Sequence, residues 1–225
     1  DVQMAVGMAY VMCTFIAQET VAVFPLERRI FMRERKAGLY CTSAQYMSRI
    51  MADVPSQMLA GTVLTAIVYP MSGLEMGYGY CWFLGNLSVL IGAAVIQVCS
   101  AFGQAFEDAN ALMVVMLLLF LTLSPGFVRE VPSWLEWLRN ISFTGLLIDI
   151  AVYLELRDIE ERHGTRYGTL DEILNTETTL TVKTDEDMQS AFAVLAAIYV
   201  ISRFLAYLGV KFMYTGQSFK ESLWQ

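Results

Sequence analysis

Six charged side chains crowd into the nine positions from Glu27 to Arg35, within FPLERRIFMRERKAGLY, and Ile30, Phe31 and Met32 are set among them. Pro25 suits the start of a helix here and Gly38 suits its end. Mixed charge around three apolar residues fits ion pairing with a protein surface, whereas a helix that lies on anionic lipid carries mostly cations. The competing reading of the same stretch is a solvated juxtamembrane loop. A second set of polar residues stands isolated inside apolar runs: Glu19, Asn86, Gln97, Asn110 and Arg203. Each costs free energy in hydrocarbon unless it finds a partner or faces a cavity. Arg203 is the outlier, because it lies about 12 Å of helix before Lys211. Glu19 or a backbone carbonyl would serve as its partner, though no spacing pairs them.

Other chemistries lack their residues. The single His163 rules out a histidine-rich metal cluster, and no CxxC or Cys/His spacing supports zinc or a disulfide framework. Cys13, Cys81 and Cys99 lie in or beside apolar runs, where cysteine acts as a small hydrophobe. The chain contains no GxxxxGK[ST], so it has no phosphate cradle of its own. No Ser/Lys or His/Asp/Glu constellation stands within the spans, which leaves an intramembrane enzyme without machinery. No catalytic site, metal or cofactor is expected in this chain.

The elements that must position these groups are membrane spans. Of 225 residues, 56% are apolar and only 16% charged, and the mean hydropathy is +0.49. Residues 54–72, 79–104, 109–128 and 190–202 carry no Asp, Glu, Lys or Arg. Five segments are apolar enough to cross ~30 Å of hydrocarbon as helix: about 2–24, 54–72, 79–104, 109–128 and 190–213. A soluble domain and a disordered chain are both excluded. A net charge of −7 and a pI near 4.8 exclude a nucleic-acid partner as well. The stretch 131–154 is apolar but broken by Glu136, Arg139 and Asp149, and its paired Trp134 and Trp137 suit the headgroup level. It reads as an interfacial or re-entrant helix pair. Gly85, Ser88, Gly92 and Ala93 predict close helix packing in the run 79–104.

Charge placement sets the orientation. Residues 25–53 carry a net +3 and residues 155–187 a net −6. Positive-inside puts 25–53 in the cytoplasm. Alternation then puts 73–78 and 129–189 outside and the tail from Lys211 inside. The first span therefore begins outside, which implies at least one span upstream. Asn140-Ile-Ser142 is a glycosylation sequon on the outer side, but its place in a helix argues against modification.

The ordered run ERRIFMRERKAGLY, SAQYMSRIMADVP, IVYPMSGL, AFGQAFEDANAL, SPGFV and VPSWLEWLRNISF resembles the transmembrane domain of G-subfamily ATP-binding cassette transporters, the White and multidrug half-transporters. The resemblance covers roughly residues 1–154, with 190–213 similar only as a last span. It implies an all-α polytopic bundle holding spans two to six of a six-span exporter domain of ABC-2 type, with a re-entrant pair in the last outer loop. The nucleotide-binding domain, with its ATP and Mg, would lie in the same full-length chain but outside residues 1–225. The partners implied are the lipid bilayer, that domain and a second half-transporter in a homo- or heterodimer.

The resemblance also implies roles. Glu27, Arg28, Arg29, Phe31, Arg33, Glu34 and Arg35 would form the coupling helix against the nucleotide-binding domain, with Phe31 anchored in a groove of that domain. Phe15, Leu119 and Thr122 would line a substrate cavity between protomers. Phe127 and Val128 would form an upper valve, where multidrug members carry a leucine pair. The implied function is ATP-driven export of lipids, sterols or amphipathic small molecules by alternating access at a plasma or internal membrane. The alternative is a membrane scaffold or channel-like protein without ATPase coupling.

Overall fold

A computed structural model describes residues 15–103, 105–122, 142–163, 182 and 184–213. All elements among the described residues are helical. A 3-10 turn, Ala17–Ala22, runs directly into α1, Val23–Lys36. Then come α2, Thr42–Ser72; α3, Tyr78–Phe102; α4, Phe106–Thr122; α5, Phe143–His163; and α6, Asp185–Met213. Three of these helices are long and apolar enough to cross a membrane: Thr42–Ser72, Tyr78–Phe102 and Glu186–Phe212. This is an all-α, multi-pass integral membrane protein. Most of the expected span 2–24 lies outside the described residues, and α4 is described to Thr122.

Two elements outrun their apolar patterns. α2 begins twelve residues before the charge-free run at 54, because Thr42–Asp53 continues the same helix with Arg49 and Asp53 paired at (i, i+4), 3.2 Å apart. α5 continues past Leu154 to His163, because two of its acids bind backbone instead of breaking the helix. Glu155 accepts from the N–H groups of Glu75 (2.8 Å) and Met76 (2.9 Å), and Asp158 accepts from Gly77 (3.0 Å). These carboxylates satisfy the turn between α2 and α3, whose N–H groups would otherwise be orphaned.

α3 is the central post. It is buried along almost its whole length and packs against α2, α4, α6 and the 3-10 turn. Its small residues permit this: a Cβ on Gly85 would collide with Thr65 Oγ1, and one on Gly61 would sit 2.9 Å from Asn86 Oδ1. α5 is buried from Phe143 to Glu155 in the core at the acidic end, among Leu84, Ile91, Val95 and Leu195. The expected helix pair thus supplies one buried helix; its other half, with Trp134 and Trp137, lies outside the described residues. Ser142 of the sequon is fully buried.

Candidate functional site

α1 is two-faced. Gly38, at φ 70°, ends its turn in the left-handed region that favours glycine. One face looks inward: Phe31 is 4% exposed and packs with Tyr46, Ala101, Ala206 and Val210, beside Phe24 and Tyr207. The other face is open, with Leu26 68% and Ile30 58% exposed and Arg33 exposed beside them. Phe31 therefore corrects the expectation of a side chain free to enter a partner's groove. It is spent on the chain's own core, joining α1 to α2, α3 and α6. Leu26 and Ile30, one turn apart, are the apolar residues presented outward.

The charged residues divide in the same way. Glu27 pairs with Arg49 Nη1 at 2.7 Å, which ties α1 to α2. Glu34 accepts the hydroxyl proton of Tyr40 just beyond the helix. That bond, with burial and the charges of Glu34 and Glu27 adding to it, pushes the Tyr40 phenol up to about 12. Arg28, Arg29 and Arg35 stand on the α1 backbone, and their side chains lie outside the described atoms.

From Glu27 a line of polar contacts runs into the bundle. Arg49 holds Asp53 at 3.2 Å; Gln97 on α3 donates its Nε2 to Asp53 Oδ2 at 3.3 Å; Arg203 on α6 donates from Nη1 to Gln97 Oε1. Tyr46 on α2 donates its hydroxyl to the Arg203 carbonyl at 2.7 Å. The Arg203 guanidinium also lies over the Tyr199 ring, 5.1 Å from its centroid. Its Nε and Nη2 have no hydrogen-bond partner among the described residues. Two of the isolated polar residues, Gln97 and Arg203, thus bond each other, and among the described residues neither Glu19 nor a carbonyl accepts from the guanidinium. The contact spans 106 positions, so local spacing carries no trace of it.

Of the remaining predicted residues, those described lie beside the 3-10 turn and on α4. Phe15, beside the 3-10 turn, is 43% exposed and Leu119 on α4 is 37% exposed. Thr122 is exposed and gives its hydroxyl proton to the Leu119 carbonyl at 3.0 Å, which leaves its oxygen only as an acceptor. The elements that carry them do pack together, through Ala17 and Val21 against Ala109 and Met113. Phe127 and Val128 lie outside the described residues.

Comparison with known proteins adds an independent finding. The family model for the ABC-2 type transporter matches residues 1–156. ABC transporter G family member 21 of Arabidopsis thaliana is 26% identical over 195 residues, covering 85% of this chain and 29% of that protein. ABC transporter G family member 14 of the same plant is 31% identical over 128 residues, covering 55% of this chain and 20% of the relative. The ABC transporter ATP-binding protein/permease wht-1 of Caenorhabditis elegans is 28% identical over 129 residues, covering 55% and 19%. The chain spans less than a third of the length of these relatives.

Proposed function

The chain belongs to the ABC-2 type transporter family, and from that premise we propose that it is the membrane-spanning part of an ATP-driven exporter of lipids, sterols or amphipathic small molecules. The single observation that carries the coupling part of this reading is the division of α1 into an outward apolar face and an inward polar and aromatic one. A nucleotide-binding domain of the same full-length chain, holding ATP and Mg, docks on Leu26, Ile30 and Arg33, with Arg28, Arg29, Glu34 and Arg35 on the same helix supplying charge. Its movement is delivered inward through Phe31 and through Glu27 to Arg49. Rigid-body transmission of this kind needs a stiff contact at each step, which a buried aromatic ring and a chain of charged groups provide. A second half-transporter completes the pathway, with Phe15, Leu119 and Thr122 on the cavity wall and Phe127 and Val128 as the upper valve.

The test uses the full-length protein in proteoliposomes. Ile30→Asp and Arg33→Glu are expected to abolish substrate-stimulated ATPase and transport while dimer assembly and heat stability stay at wild type. Both groups are exposed, so the fold does not depend on them. Normal stimulation and transport in both variants would reject docking on this face, whereas a wild-type protein with neither would favour a scaffold without ATPase coupling.

A further inference from the structure

Between the 3-10 turn and α2 lies a cavity of about 180 Å³ that shares only Arg49 with the proposed coupling path and holds none of the proposed cavity-wall or valve residues. Glu19, Thr20, Asp53 and Gln57 line it with polar atoms, and Ile16 and Ala60 give it an apolar wall. Gln57 is 7% exposed, yet neither its Oε1 nor its Nε2 has a hydrogen-bond partner among the described residues. A buried primary amide with both ends unmet costs on the order of 1–3 kcal/mol per group, so it calls for an occupant. The charge of that occupant follows from the walls. Arg49 is the one cation on the wall, and Glu27 and Asp53 already share it. Glu19 has no counter-charge among the described residues. The excess is negative.

Depth narrows the class further. Asp53 is the last charged residue before the charge-free run 54–72, so the cavity sits where the hydrocarbon begins. A charged head held at this level, with an apolar tail beyond it, belongs to an amphiphile. We infer that this cavity is a binding site for the protonated amine of an amphiphile, which donates to the Glu19 carboxylate and Gln57 Oε1; an ethanolamine-type head also brings an oxygen that accepts from Gln57 Nε2. The amine comes from an ethanolamine-type lipid head or from a free amphipathic amine. The site requires only the fold, and the two residues that would hold the amine, Glu19 and Gln57, take no part in the transport reading.

The experiment measures binding of radiolabelled dodecylamine, protonated at neutral pH like a lysine amine, to the full-length protein in phosphatidylcholine nanodiscs, with empty nanodiscs subtracted. Saturable binding is expected, with no competition from dodecanol. Glu19→Gln and Gln57→Leu are each expected to weaken it about tenfold or more, the size of one lost charged hydrogen bond. Glu19 is exposed, so its variant keeps the test meaningful if Gln57→Leu fails to fold. Competition by phosphatidylethanolamine in the nanodisc would assign the site to a lipid head, and its absence to free amines. Non-saturable binding, equal competition by dodecanol, or wild-type affinity in Glu19→Gln would overturn the inference and leave water as the occupant. Transport measured in parallel keeps the two readings separable, because lost amine binding with intact transport touches this site alone.

Discussion

Gln97→Leu removes the acceptor that holds Arg203, and the size and sign of its effect follow from the contacts. A hydrogen bond to a charged group contributes about 1.5–3 kcal/mol, whereas neutral interhelical bonds in membranes average nearer 0.6 kcal/mol. The Arg203 bond belongs to the first kind and is buried, with both side chains at 8% exposure or less. The second bond lost, from Gln97 to Asp53 at 3.3 Å, matters less because Asp53 keeps Arg49 at 3.2 Å. The expected cost is therefore about 2 kcal/mol, or roughly thirtyfold in the folded-to-unfolded ratio. Arg203 would keep the Tyr199 ring and the nearby Tyr46 hydroxyl, while its Nε and Nη2 already have no hydrogen-bond partner among the described residues.

The double variant makes the discriminating measurement. Arg203→Met alone strands Gln97 Oε1 and costs about 1–3 kcal/mol. Gln97→Leu with Arg203→Met removes both polar groups, keeps similar volume and sets a thioether against the Tyr199 ring. Replacing both members of a buried pair is often neutral or stabilising. The double variant is thus expected to lie within about 1 kcal/mol of wild type, well above the sum of the single losses. Titration of the full-length protein with sodium dodecyl sulfate in mixed micelles, read as folded fraction, gives all three values. Additive losses, or a single variant as stable as wild type, would show that Arg203 and Gln97 do not depend on each other and would refute the reasoning.

Three further outcomes follow from neighbouring contacts. Phe31→Ala empties a site in the cluster at the basic end, where core truncations of this type cost about 3–5 kcal/mol; α1 is expected to open locally, so hydrogen exchange should rise across Val23–Lys36 and stay unchanged in α3. Uniform exchange in both helices would contradict the local role. The Tyr40 phenol, raised from 10.0 to about 12 by Glu34, contributes stability that is fully present below pH 10 and is lost as pH climbs from 10 to 12; absorbance titration should show the late-titrating fraction shrink by one phenol, which moves toward 10, in Glu34→Gln, and an unchanged titration would refute the bond. Gly85→Ala drives a methyl into Thr65 Oγ1 and is expected to cost about 1–3 kcal/mol. Adding Thr65→Ala should restore most of it in the same folding assay, and no restoration would place the strain elsewhere.

The membrane class, the run 79–104 as a tightly packed span and the glycine stop at Gly38 were legible in the sequence because each rests on local composition or on a single backbone requirement. The inward side of α1 was not. Phe24 and Phe31 lie seven apart and share one face, while Leu26 and Ile30 lie four apart and share the other, so periodicity alone offers two apolar faces and no means of choosing between them. Tertiary packing chooses the larger rings, which fill the space left by Ala101 and Ala206. The full lengths of α2 and α5 were hidden for a different reason. Their charged ends look like loop, yet Arg49 and Asp53 neutralise each other, and Glu155 and Asp158 are consumed by backbone N–H groups.

Those hidden residues also explain how the bundle is fastened. Polar contacts tie its helices near both ends: Glu27, Arg49, Asp53, Gln97 and Arg203 toward the basic side, and Glu155 and Asp158 toward the acidic side. Between them α3 meets α2 through Gly85, Thr65, Gly61 and Asn86, where backbones approach closely beside a single strong polar bond, from Trp82 Nε1 to Thr62 Oγ1 at 3.0 Å. Polar bonds are directional and break in discrete steps, whereas small-residue packing tolerates a slight slide. Were α1 displaced, Arg49 would pass the movement to α2, and Phe31, Tyr46, Gln97 and Arg203 would pass it to α3 and α6. Loss of Gln97 should therefore loosen α3 from α2 and α6 at this level while Phe31 and Tyr46 still hold α6 to α1 and α2, a pattern that no loss of the exposed α1 residues would produce.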